Sequence, residues 1–187
     1  MFKTHEFPAP HGNKGVFLVR DGRAVAWSLF RSQTRREMFS GTPDEFMAKF
    51  IAGTASVYGS WFEHTRQWIR HTESPARSWV TIGYQSLTSN PEAALDLVLR
   101  HLERPVNKTR IKNAITGAHI AKVRGAETSA KQFKKLNDHG AKPIAGEGAV
   151  NGWRGQFSDA LLEEFDAKLK SLKTDIGEPW IQDVKHV

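Results

Sequence analysis

Val16 to Phe30, VFLVRDGRAVAWSLF, constrains the fold more tightly than any other stretch of the chain. Its apolar run stops at Arg20, passes through Asp21-Gly22, and resumes as Ala24, Val25, Trp27, Ser28 and Leu29 at helical spacing. Four consecutive apolar residues without alternation predict a strand covered on both faces, as in the parallel sheets of α/β proteins. Arg20 then stands at the carboxyl end of the strand, where open α/β sheets hold their ligands, and a guanidinium there suits an anion.

The charge balance agrees with an anionic partner: 27 Lys and Arg against 20 Asp and Glu give a net charge of +7. Such an excess points to a nucleotide, a nucleic acid, or a sulfated or phosphorylated substrate, or else to a solvated basic surface with no ligand. At 187 residues, 39% apolar and 25% charged, the chain has the make-up of one globular domain, residues 1–187, with a real core. No apolar run approaches the 18 or more residues of a membrane span, and MFKTHEFPAPHG lacks the pattern of a signal peptide, so no membrane partner and a cytoplasmic location are expected. With no cysteine, disulfides, thiolate catalysis and cysteine-ligated metals are excluded. The eight histidines show no HExxH or similar spacing, so no metal is expected.

Local signals mark out the helices. Thr42 is a predicted N-cap, with Pro43 in the first helical position, Asp44 and Glu45 in the first turn, and an end at Gly53. Trp61, Thr65, Trp68 and Ile69 make one apolar face of a second helix between Gly59 and about Arg70, broken by Ser74-Pro75. Trp79 to Ile82 form a second strand ending at Gly83-Tyr84, and Asn90-Pro91-Glu92 starts a helix whose face is Leu95, Val98, Leu99 and Leu102. Ile111 and Ile115 support a helix, followed by a long basic loop toward Val150. Ser158 caps a final helix bearing Leu161, Leu162, Phe165, Leu169 and Leu172. Two strands among so many helices fall short of the four to six of a usual sheet.

Several of these motifs, taken in order, resemble the carboxyl-terminal two-thirds of a sulfotransferase of the cytosolic type. These enzymes move a sulfuryl group from 3′-phosphoadenosine 5′-phosphosulfate (PAPS) to an acceptor. Lys3-Thr4-His5 followed by Pro8 resembles the family's KTH-x-P segment, and VRDGRAVAWS its 3′-phosphate segment, with Arg20 and Ser28 eight residues apart. Gly59 to His64, GSWFEH, is similar to the family's GSW-aromatic-x-H helix, and VTIGYQSLTSNP to its strand ending in Tyr-Glu-Asp-Leu. Gly148 to Phe157 resembles the Gly-x-x-Gly-Asp-Trp-Lys region before the last helix.

The resemblance implies an α/β, P-loop-hydrolase-like parallel sheet flanked by helices, here incomplete at the N-terminus, so that residues 1–187 form a single partial domain. It makes His5 the base that takes a proton from the acceptor hydroxyl, and Lys3 a cation near the transferring group. Arg20 and Ser28 would bind the 3′-phosphate, Tyr84 would lie against the adenine, and Gly148 would contact the same phosphate. His64 and Glu63 read better as structural than as acceptor contacts, and Trp61, Trp68 and Trp79 as core. Two departures stand out. No Pro-Lys-Ser-Gly-Thr-Thr-like phosphate loop occurs, and Gly146-Glu147 stands where the family has Arg-Lys.

Three functions follow for the later observations to sort. The first is PAPS-dependent transfer to a small-molecule, glycan or peptide acceptor, a hydroxyl or an amine, completed by an N-terminal polypeptide as partner. The second is a 3′-phosphoadenosine-binding module without transfer. The third, a nucleic-acid-binding protein, rests only on Arg31, Arg35, Arg36 and the Lys131 to Lys135 cluster and lacks any recognition motif.

Overall fold

A computed structural model describes residues 4–8, 14–119, 122–123, 125 and 150–176. The elements run β1 (Lys14–Val19), α1 (Gly22–Arg35), α2 (Pro43–Ala52), α3 (Trp61–Thr72), β2 (Ser78–Gly83), α4 (Tyr84–Ser89), α5 (Pro91–His101), α6 (Lys108–Gly117) and α7 (Asp159–Ile176). Among the described residues the sheet has two strands, β1 and β2, parallel and in register from Lys14 opposite Ser78 to Val19 opposite Gly83. Parallel pairing requires a crossover, which α1 to α3 provide.

One face of the pair packs against α3. Phe17 stacks on Trp68 of α3 with ring centroids 5.4 Å apart, and Trp79 meets the same indole at 5.0 Å. The Thr72 and Thr81 hydroxyls, 3.1 Å apart, join α3 to β2 beside them. On the other face α4 and α5 pack over β2 and Ile82 is buried, but Leu18 of β1 is 48% exposed. The expectation of a strand covered on both faces is therefore corrected for β1. An apolar run without alternation reports residue type, and among the described residues the helices of that face cover β2 rather than Leu18. At the amino end of the sheet His101 Nε2 lies 3.1 Å from the carbonyls of both Gly15 and Ser78. Carbonyls only accept, so this nitrogen carries the proton and ties the two strands together.

Two predicted helix starts, at Thr42 and Asn90, carry the side-chain caps expected, and Ser158 shows only backbone bonds at its helix start. Thr42 Oγ1 accepts from Glu45 N–H while Glu45 reaches back to Thr42 N–H, a complete capping box, and Gly53 closes α2 at φ +81°. Asn90 caps α5 and Asn107 caps α6. Ser158 precedes α7, its carbonyl accepting from Leu162 N–H and its own N–H donating to Asp44 at the start of α2. Two details differ. Tyr84 opens a short helix, α4, that no side-chain cap announces, and the buried residue of α5 is Ala94, with Leu95, Val98 and Leu99 only half-buried. The basic loop falls almost wholly outside the described residues.

The core lies between α1, α2, α3 and α7, where Ala26, Phe46, Met47 and Phe165 are enclosed completely. Arg66 and Arg70 of α3 both reach Asp175 of α7, at 2.6 and 2.9 Å, and fix the two helices side by side.

Candidate nucleotide site

Parallel register decides which side chains meet at the carboxyl end of the sheet. Val19 pairs with Gly83, so the next residue of each strand, Arg20 and Tyr84, emerges at the same edge. The Arg20 guanidinium lies over the Tyr84 ring, 4.4 Å from its centroid. A cation on an aromatic face is held in orientation as well as attracted, which aims its N–H fork. Two residues that the sequence singled out separately are thus one unit.

The turn after Arg20 is rigid for reasons that can be named. Asp21 caps α1, its Oδ1 accepting from Arg23 N–H at 2.8 Å. The Arg23 side chain returns to the same carboxylate through two bonds, Nε to Oδ1 at 3.1 Å and Nη2 to Oδ2 at 2.8 Å. Its third nitrogen reaches Asp166 of α7 at 3.1 Å, and its guanidinium covers the buried Trp153 ring at 4.3 Å. Burial works against the charge of Arg23, but Asp21 and Asp166 more than offset it and raise its pKa. Gly22 is also required by space: a Cβ there would lie 2.7 Å from the Phe165 ring and 2.8 Å from Trp61. Ser28 is exposed on α1, about 9 Å further along the axis than Gly22 at 1.5 Å per residue.

A second group gathers over α3. The carbonyl of Glu6 accepts from Trp68 Nε1 at 3.0 Å and from His64 Nε2 at 3.1 Å, which pins residues 4–8 to the helix. Phe7 packs on the His64 ring at 5.5 Å. Burial, with a smaller contribution from His5, keeps the His64 pKa below its usual value near 6.5, although its backbone bonds to Glu6 and His5 oppose this. His5 itself is exposed, its ring 5.8 Å from that of Tyr58. Glu63 is occupied by Gln67 and Arg66 on its own helix. Hence His64 and Glu63 have structural tasks, and Trp68 is buried while Trp61 and Trp79 pack half-buried against the core. Lys3 and Gly148 lie outside the described residues.

Residues 9–177 match the sulfotransferase domain family. The chain belongs to that family. It is 26% identical to mouse sulfotransferase 1B1 over 161 residues, covering 84% of this chain and 53% of that protein. Against rat sulfotransferase 1A1 the identity is 24% over 170 residues, 87% of this chain and 56% of the other. The chain therefore spans about half the length of the curated relatives it matches. Two solved structures share the fold. Mouse sulfotransferase SULT7A1 complexed with PAP gives a TM-score of 0.69 at 20% identity, over 86% of this chain and 58% of the other. Retinol dehydratase in complex with androsterone and the inactive cofactor PAP gives 0.76 at 16%, over 89% and 49%. The P-loop-like α/β fold expected from the motifs is thus present, with a small parallel sheet among the described residues.

Within this sulfotransferase domain, a guanidinium and an aromatic ring meet at the carboxyl end of the sheet. Arg20 offers guanidinium donors there, Ser28 lies exposed further along α1, and the neighbouring Asp21 carboxylate is taken up by Arg23. The sequence missed Arg23 and the anchoring of residues 4–8 by Trp68. Asp21 and Arg23 stand close enough in sequence to suggest a local ion pair, but nothing local points to Trp153 or Asp166.

Proposed function

We propose that this chain carries the 3′-phosphoadenosine side of a PAPS-dependent sulfotransferase site within a single partial domain. The reading is supported above all by Arg20 lying on Tyr84 at the carboxyl ends of two parallel strands. Arg20 and Ser28 bind the 3′-phosphate, Tyr84 borders the adenine, and Gly148 gives close backbone approach to the phosphate. PAPS, when bound, supplies the sulfuryl group. His5, exposed on the surface, takes the proton from the acceptor hydroxyl, or from an amine, and Lys3 offsets negative charge near the leaving group. The acceptor is a small molecule, the site is cytosolic, and a complementing N-terminal polypeptide supplies the 5′-phosphosulfate contacts. No metal is assigned a role.

Titration calorimetry with 3′-phosphoadenosine 5′-phosphate (PAP) tests the reading. The chain binds PAP, and Arg20→Ala weakens it by about tenfold or more, as expected on losing a charge-assisted phosphate contact. Equal affinity in Arg20→Ala overturns the assignment. A second reading, nucleotide binding without transfer, is favoured by Glu147, an acid where the family resemblance has a cation. On that reading Glu147→Lys tightens PAP binding, and sulfuryl transfer stays undetectable even with the complementing polypeptide present.

A further inference from the structure

Asp21 follows Arg20 directly, so its carboxylate would stand beside any anion that Arg20 holds. We infer that Arg23 is a positioning residue of the nucleotide site: by clasping Asp21 it removes that acid from the anion's surroundings while keeping it as the cap of α1. The inference rests on the nucleotide reading of Arg20 proposed above.

The geometry supports two tasks for one side chain. Arg23 takes both Asp21 oxygens, at 3.1 and 2.8 Å, and Oδ1 also accepts the Arg23 backbone N–H, so the carboxylate is turned toward the helix start. The clasp is itself held from behind. Asp166 of α7 binds the remaining nitrogen and Trp153 lies under the guanidinium plane, so the side chain cannot swing away without giving up both. A bidentate guanidinium–carboxylate pair is the strongest neutralising arrangement open to these residue types, and Lys cannot reproduce its fork. Like charges at short range repel, so freeing Asp21 would be felt by the ligand although neither residue touches it.

Four chains measured by calorimetry with PAP and by thermal unfolding test this. Arg23→Gln weakens PAP binding by about fivefold to tenfold, the size expected from unmasking one charge near a phosphate. Asp21→Asn, which still caps a helix, binds PAP as well as or better than the parent. The double variant, Arg23→Gln with Asp21→Asn, regains the parent's affinity while keeping the lowered melting temperature of Arg23→Gln. That rescue is the outcome a purely structural role for Arg23 would not give. If the double variant stays as weak as Arg23→Gln, or if Arg23→Gln binds like the parent, the inference is overturned and the nucleotide reading survives. If the parent chain binds no PAP, both are overturned.

Discussion

Arg20 and Tyr84 show how little freedom a single side chain has once its neighbours are fixed. The ring beneath the guanidinium is a platform, 4.4 Å from it at the centroid. Tyr84→Phe is therefore expected to keep PAP affinity within about twofold, and Tyr84→Leu to lose several-fold, as read by calorimetry. Equal losses in both variants would show that the hydroxyl, not the platform, matters. Trp68 offers a similar separation of effects. Trp68→Phe preserves an aromatic partner for Phe17 but removes the N–H that Glu6 O accepts, at a cost of about 1 kcal/mol in urea unfolding. It should also speed amide exchange across residues 4–8, because His64 then holds that carbonyl alone.

At the scale of the element, caps and crossings carry the argument. Thr42→Ala removes the side-chain half of the α2 capping box, the oxygen that accepts from Glu45 N–H, and should lower stability by about 1 kcal/mol. Gly53→Ala should cost about as much or more, since φ is +81° and the added Cβ would come within 2.9 Å of Ser60 Cβ. Chemical denaturation of each variant checks both figures, and unchanged midpoints would contradict them. These starts and stops were legible in the sequence because a cap is a conversation between residues three or four apart. By contrast, α4 gave no such signal: YQSLTS is one and a half turns long, and Gly83 offers no side chain to cap it. Leu18 was misjudged for the opposite reason, since exposure depends on which helix passes overhead and not on the strand itself. The Arg20–Tyr84 pair was half legible, each residue marked at a strand end, but their meeting required the pairing of β1 with β2. Arg23 needed α7 as well.

Across the whole molecule, two histidines of α3 link folding to pH. The pKa of His64 is lowered by burial with help from His5, and that of His71 by burial with help from Arg77. His71 Nε2 is enclosed with no hydrogen-bond partner among the described residues, between the Trp68 and Trp79 rings. Both folded pKa values lie below the ordinary 6.5, so on acidification the unfolded chain takes up protons first. Stability is thus fully present above that pH and declines as pH falls through it toward the folded values. Urea midpoints at pH 7.5 and 5.5 should show the loss, and His71→Gln should shrink it; a midpoint independent of pH over this range would refute the linkage. The register of the two strands has a consequence of another kind. A displacement of one residue between β1 and β2 would send Arg20 past Tyr84, so a nucleotide seated on both, as proposed, would act as a gauge of alignment. Added during refolding, PAP should enrich the native alignment by mass action, and a preparation with full helix content that ignores the nucleotide would betray strands joined in the wrong frame.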